Sequence, residues 1–202
     1  KNEFIGSVSH ELRTPLTSIK GWAVTLREGN LEDREMLRDG LDIIEKESDR
    51  LTAMVEELLD FSKFVSGKVT INKENVNVTE LMQHIGKQME PRAEIENIAL
   101  EIAFEQALPT LVADGNRLKQ VFINILDNSF NFTPAGGKVT FAASQEDNRL
   151  VFHISDTGCG IPSDELPNVK EKFYKGRNSK SKNGIGLSIC DEIIKLMDGT
   201  FE

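Results

Sequence analysis

The 202 residues carry a formal net charge of -9, with 39% hydrophobic and 28% charged residues, the proportions of an ordinary globular protein able to bury a core. The one basic stretch, Lys175 to Lys182, is short, so the clustered Lys and Arg that phosphate backbones attract are missing and no nucleic-acid partner is expected. No run approaches the roughly 18 consecutive apolar residues of a membrane span, the N-terminus has no signal-peptide pattern, and Cys159 and Cys190 form neither a CxxC pair nor a disulfide framework, which suits a reducing, cytoplasmic compartment.

From residue 1 to about 66 the apolar residues recur at three-four spacing. Ile5, Val8, Leu12, Pro15, Ile19, Trp22 and Leu26 form one narrow seam; after a turn at Gly29-Asn30, Leu37, Leu41, Ile44, Ser48, Leu51, Val55, Leu58, Ser62 and Val65 form a second. Two such helices make a hairpin that leaves Phe4, Met54, Leu59 and Phe61 uncovered. A second hairpin would cover them in a four-helix bundle, which predicts a homodimer; the alternative is packing on the rest of the same chain.

Ser66-Gly67 marks a boundary, and a second domain is expected over residues 67–202. Lys68 to Ile71 and Val76 to Val78 read as short strands, with Thr79 capping a helix to about Met89. Leu100 to Phe104 and Thr110 to Val112 read as strands, and Asp114 opens a helix to about Phe132 that ends at Thr133-Pro134-Ala135-Gly136-Gly137. Lys138 to Ser144 and Leu150 to Ser155 alternate and should pair as an antiparallel hairpin. Gly158 to Asn183 is long, irregular and poor in apolar residues, as lids are, and a helix follows from about Gly184 to Met197. The final residues read as the opening of another strand, so the domain is expected to continue past Glu202.

His10 lies about 200° around its helix from Val8 and from Leu12, and so faces water. Glu11 supplies a carboxylate, Thr14 lies one turn along the same face, and Pro15 removes the backbone bond to the Glu11 carbonyl and should loosen the helix there. An imidazole with a pKa of about 6.5 is largely unprotonated near neutral pH and nucleophilic, and a neighbouring carboxylate can take its remaining ring proton. Ser7 to Leu16, SVSHELRTPL, resembles the H-box of histidine kinases. The resemblance implies that His10 accepts a phosphoryl group, that Glu11 is the base, and that Thr14 helps to hydrolyse the phosphorylated partner.

On the helix from Asp114, Leu118, Val121, Phe122, Ile125 and Leu126 form an apolar stripe, and Asn124, Asp127, Asn128 and Asn131 lie on other faces. A solvated face is one account. The other is that carboxamide oxygens hold Mg²⁺ beside a triphosphate without the repulsion that carboxylates would add. Asn124 to Pro134, NILDNSFNFTP, resembles the family's N-box, which implies Asn128 as the magnesium ligand, Asn124 as a supporting contact and Phe132 as a ring against adenine. Asn131 departs from the pattern, standing where many relatives have a Lys or Arg that reaches the phosphates.

Asp156-Thr157-Gly158-Cys159-Gly160 follows a strand directly. Such an Asp can accept from an adenine amino group while Gly158 and Gly160 let backbone approach the ring, and the run resembles the first glycine box. Lys172-Phe173-Tyr174 resembles the F-box of the lid. Gly184-Ile185-Gly186-Leu187 opens a helix whose free N–H groups favour phosphate and resembles the second glycine box; Ser181 and Lys182 stand where relatives often have further glycines, and Lys182 is a candidate phosphate contact. His153 reads as structural or exposed.

These boxes, in the family's order along nearly the whole chain, imply the catalytic core of a sensor histidine kinase. The fold class is α+β: an N-terminal helical hairpin (1–66) forming a dimeric four-helix bundle, then an α/β-sandwich ATP-binding domain (67–202) of the gyrase, chaperone, histidine kinase and mismatch-repair ATPase superfamily. The implied activity is ATP- and Mg²⁺-dependent autophosphorylation of His10, then transfer to an aspartate of a response regulator, with regulator phosphatase activity suggested by Thr14. The chain would be the cytoplasmic portion of a protein attached to the membrane only through regions outside it. The other accounts are a pure ATPase, which would lack the H-box, and a degenerate kinase that keeps the fold without turnover, to which Asn131, Ser181 and Lys182 point.

Overall fold

The computed structural model describes residues 2–29, 33–65, 69–104, 108–171, 174, 176 and 184–202, with backbone alone at 2–7, 11, 57, 60, 61 and 63–65. The chain divides into two units, Lys1–Val69 and Thr70–Glu202.

The first unit is a hairpin of α1 (Asn2–Glu28) and α2 (Arg34–Val65) packed along each other. Asp33 starts α2: its carboxylate accepts from the Met36 N–H at 3.0 Å and its carbonyl from Leu37 at 3.0 Å, satisfying donors that a helix start leaves open. Pro15, although inside α1, is fully buried on the packed face. Gly40 is buried beneath Trp22 and Leu26, where a Cβ would come within 2.9 Å of both.

The inward face of α2 differs from the expected seam. Gly40, Glu47 and Met54 join Leu37, Ile44, Leu51 and Leu58 in being half or fully buried, while Leu41, Ser48 and Val55 are exposed. Two apolar stripes share the 37, 44, 51, 58 positions at heptad spacing. Close approach over Gly40 selects the 40, 47, 54 side for the partner within the hairpin, so Met54, expected as an uncovered flank, is buried at 3% exposure.

In the second unit β1 (Glu74–Val76) pairs antiparallel with β3 (Leu111–Ala113). A separate mixed sheet has the order β2 (Ala99–Phe104), β4 (Lys138–Glu146), β5 (Arg149–Asp156), with β2 parallel to β4 and β4 antiparallel to β5. Helices α3 (Val78–Glu96) and α4 (Gly115–Phe132) pack on this sheet, and α5 (Gly186–Leu196) packs on α4. Alternate residues of β4, namely Val139, Phe141 and Ala143, are buried, and the Phe122 ring of α4 lies 4.8 Å from both Phe141 and Phe152. This helix-on-sheet layer fixes where both ends of α4 stand.

Several sequence expectations shift. Val69 to Ile71 form no strand, and Lys68 lies outside the described residues. The next strand ends at Val76 because Asn77, rather than Thr79, caps α3, its Oδ1 accepting from the Glu80 N–H at 3.2 Å. The helix passes Met89 and contains Pro91, because Met89 and Ala93 bury against the domain on either side of it; it ends at Asn97, whose φ of 53° turns the chain left-handed. The expected five-residue connection between β4 and β5 is only Asp147 and Asn148, with Asp147 at φ 53°, as a tight hairpin needs. Residues 199–202 form no strand.

Candidate functional site

On the hairpin, His10 is exposed while Val8 and Leu12 are half-buried, as their spacing requires. Thr14 Oγ1 donates to the His10 carbonyl at 3.3 Å and Thr17 Oγ1 to the Arg13 carbonyl at 2.8 Å. His10, Arg13, Thr14 and Thr17 are thus exposed together, with Pro15 turned inward. The helix runs unbroken past Pro15. Glu11 lies within the helix, and its side chain is outside the described residues.

In the second unit Asp114 sets the start of α4. Its buried carboxylate accepts from the N–H of Arg117 at 3.1 Å and of Asn72 at 3.0 Å. At the other end Thr133 closes the helix, its N–H and hydroxyl both donating to the Ser129 carbonyl, at 3.0 and 2.6 Å. The chain then turns at Gly136 and Gly137 into β4. Thr157, just beyond β5, is bound back onto this turn: its hydroxyl accepts from the Lys138 N–H at 2.9 Å and its N–H donates to the Lys138 carbonyl at 3.0 Å. The end of α4 and the loop after β5 are therefore held side by side.

Between them lies an open cleft of about 370 Å³ lined by Asn131, Phe132, Thr133, Pro134, Thr157, Gly158 and Cys159. Asp156 is exposed at the end of β5, and its Oδ1 accepts from the Gly158 N–H at 2.9 Å, an Asx turn that leaves Oδ2 with no partner among the described residues. Gly160 has φ +69° and is exposed. Of the residues expected to bind nucleotide, Phe132 and Gly158 line this cleft, with Asp156 directly preceding its rim.

Asn124 and Asn128 lie one turn apart on α4, both half-buried, and neither lines the cleft. Asn124 faces α5 beside the buried Cys190, whose Sγ donates to the Val121 carbonyl at 3.8 Å. Burial pushes the Cys190 thiol up to about 12, the Asn124 contact only partly opposing it. Gly184 has φ +62°, Gly186 is the first residue of α5, and Leu187 is half-buried. The N-cap residue of α5, Ile185, makes no side-chain cap hydrogen bond among the described residues. Lys182, Lys172 and Phe173 lie outside the described residues, while Tyr174 is half-buried.

Four features were not legible as site residues. Thr133 and Pro134, the end of the N-box run, read as a helix break with no site role of their own, and Thr157 and Cys159 as spacers between functional positions. A fifth residue, Arg92 of α3, reaches Asn131 across 39 positions of sequence, and no local pattern signals it. Among the described residues no group of three or more His, Cys, Asp or Glu could hold a metal ion. Along α4, Asn124, Asn128 and Asn131 offer carboxamide oxygens, suited to Mg²⁺ that shares its ligands with phosphates and water, while the Asp127 carboxylate between them pairs with Arg92.

Comparison with known proteins agrees with this arrangement. Residues 1–67 match the His Kinase A (phospho-acceptor) domain, and residues 113–202 match the histidine kinase-, DNA gyrase B- and HSP90-like ATPase. The chain belongs to the sensor histidine kinases and spans their catalytic core, an acceptor hairpin followed by an ATP-binding domain. It is 28% identical to the sensor protein SrrB of Staphylococcus aureus over 100% of this chain and 35% of the relative. The fold is similar to that of the histidine kinase ThkA in complex with the response regulator TrrA (TM-score 0.76, 26% identity, 98% of this chain and 55% of that one). It is likewise similar to full-length ShkA in complex with AMPPNP (TM-score 0.72, 30% identity, 97% of this chain and 41% of that one). The chain spans about a third of the length of the curated relatives it matches. Among the described residues no helix is long and apolar enough to cross a membrane.

Proposed function

We propose that this chain transfers the γ-phosphoryl group of ATP to His10 and then to an aspartate of a response regulator. The observation that carries this reading is an exposed His10, with Thr14 one turn further on, in a chain whose second unit has an ATP-binding fold with an open cleft at the end of α4. A pure ATPase would have no use for the acceptor hairpin.

The adenine would stack on Phe132, with its amino group donating to Asp156 Oδ2, the oxygen that the Asx turn leaves free. Gly158 and Gly160 would let backbone come up to the ring. The triphosphate would run toward the α5 N-terminus, where the N–H groups near Gly184, Gly186 and Leu187 favour anions, and Lys182 would add a cation. Asn128 would hold Mg²⁺, with Asn124 braced against α5, and the ion would offset phosphate charge.

In the transfer, an unprotonated imidazole nitrogen of His10 attacks the γ-phosphorus in line as the bond to the bridging oxygen breaks and ADP leaves. Glu11 takes the remaining ring proton, so the product is a neutral-ring phosphoramidate. The regulator's aspartate then attacks the same phosphorus, the N–P bond breaks and the imidazole recovers its proton. Thr14, on the exposed face beside His10, would orient a water that attacks the regulator's phosphoaspartate, breaking its aspartyl O–P bond and releasing inorganic phosphate.

Dimerisation follows from the uncovered stripe of the hairpin: Leu16, Leu41, Val55 and Leu59 are 54%, 52%, 46% and 56% exposed, and a second hairpin would bury them in a four-helix bundle. We place the unit in the cytoplasm, where ATP and reducing conditions are available to it.

The test is incubation with γ-labelled ATP and Mg²⁺, followed by addition of a receiver domain. Label that enters the chain and then moves to the receiver supports the reading. ATP binding without any incorporation would favour the degenerate kinase.

A further inference from the structure

The Asn131 side chain is held from outside the cleft. Arg92 of α3 donates from Nη2 to Asn131 Oδ1 at 2.9 Å, from Nη1 to Asp127 Oδ1 at 2.5 Å and from Nε to Glu96 Oε1 at 2.7 Å, and its guanidinium carbon sits 5.2 Å from the centre of the Phe130 ring. The Arg92 side chain is 29% exposed, and these contacts fix it on several sides.

A guanidinium has only donors, so the Asn131 atom facing Arg92 must be the oxygen, and the amide nitrogen must point away from it. Asn131 itself lines the cleft, and its Nδ2 has no partner among the described residues. Two carboxylates already match the charge of Arg92, so the guanidinium has little attraction of its own left for a phosphate. Its effect is indirect: a cationic donor on the carboxamide oxygen polarises the amide and strengthens its N–H groups as donors. Asn131 also follows Asn128, the residue proposed to hold Mg²⁺, by three residues, which makes the two side chains neighbours on the surface of α4.

We propose that Arg92 is a positioning residue for nucleotide binding, locking the Asn131 carboxamide so that Nδ2 donates to an anionic oxygen of the nucleotide's phosphate chain. This rests on the reading of the cleft as the nucleotide site. A structural staple between α3 and α4 would leave the same bonds, so the test must separate ligands with and without phosphates.

Binding of Mg²⁺-AMPPNP and of adenosine would be compared in wild type, Asn131→Ala, Asn131→Asp, Arg92→Met, Arg92→Lys and the double variant Arg92→Met/Asn131→Ala. Asn131→Asp keeps the acceptor for Arg92, and with it the link between the helices, but loses the donor. It is expected to weaken Mg²⁺-AMPPNP roughly 10-fold or more and leave adenosine unchanged. Arg92→Met should match Asn131→Ala, the double variant should be no weaker than the worse single variant, and Arg92→Lys should recover part of the loss. Undiminished Mg²⁺-AMPPNP binding by Asn131→Asp, additive losses in the double variant, or equal losses for both ligands would overturn the proposal. A wild type that binds adenosine but not Mg²⁺-AMPPNP would overturn it too, while one that binds neither would remove the nucleotide reading beneath it.

Discussion

The carbonyl oxygen of Phe132 lies 2.6 Å from the point where a Cβ on Gly158 would stand, so the last turn of α4 and the loop after β5 meet backbone to backbone. Only glycine permits that approach without displacement. Gly158→Ala should push the loop off the helix, lowering affinity for AMPPNP roughly 10-fold or more while costing the fold about 1–3 kcal/mol. Titration calorimetry beside thermal unfolding would check this; unaltered affinity would mean that the loop does not border the ligand.

The sheet beneath the cleft depends on Phe141, which is fully buried with its ring tilted against that of Phe122, centroids 4.8 Å apart. Phe141→Ala should destabilise the second unit by about 3–5 kcal/mol, since the cavity under α4 cannot readily collapse. Urea unfolding would measure it, and a loss below about 1 kcal/mol would contradict the packing described.

Much of this architecture could be read from residues in advance, and the failures share a cause. Asp114 announced α4 because its capping is local, and the alternation of Val139, Phe141 and Ala143 announced β4 because one face is buried. The helix read as ending near Met89 continues through Pro91 to Glu96, because burial of Met89 and Ala93 outweighs a lost backbone bond. The α2 seam was ambiguous in principle: residues 37, 44, 51 and 58 belong to two stripes, and only the fit of Gly40 under Trp22 and Leu26 selects between them. In the site, resemblance to the family's N-box and first glycine box pointed to Phe132, Asp156 and Gly158, whereas the Arg92 contact with Asn131 joins two helices and leaves no local trace.

The two thiols should behave differently. Cys159 is exposed on the rim of the cleft, and Cys190 is buried with its pKa raised to about 12. Native protein at pH 8 is expected to give one fast-reacting thiol with Ellman's reagent, slowed by Mg²⁺-AMPPNP, and a second only on unfolding. Because the folded thiol titrates above its unfolded value of 9.0, its contribution to stability is complete below about pH 9 and is lost as pH rises toward 12, by up to about 1.4 kcal/mol per unit. Cys190→Ala should flatten that alkaline decline; an equally steep decline in the variant would assign it to other groups.

Charges on the uncovered stripe should separate the subunits. Leu41→Glu combined with Val55→Glu is expected to convert a dimer to a monomer in sedimentation velocity with helical circular dichroism largely retained, since both positions are exposed within the hairpin. A variant that sediments as the wild type does would move the interface elsewhere.

The proposed resting place of the phosphoryl group is the exposed imidazole of His10 on α1. The most direct measurement compares wild type with His10→Gln after incubation with γ-labelled ATP and Mg²⁺, testing the stability of the label in acid and in base. The label is expected to be acid-labile, base-stable and absent from His10→Gln, in a variant that binds AMPPNP as the wild type does. Label that survives acid, or that persists undiminished in His10→Gln, would contradict it.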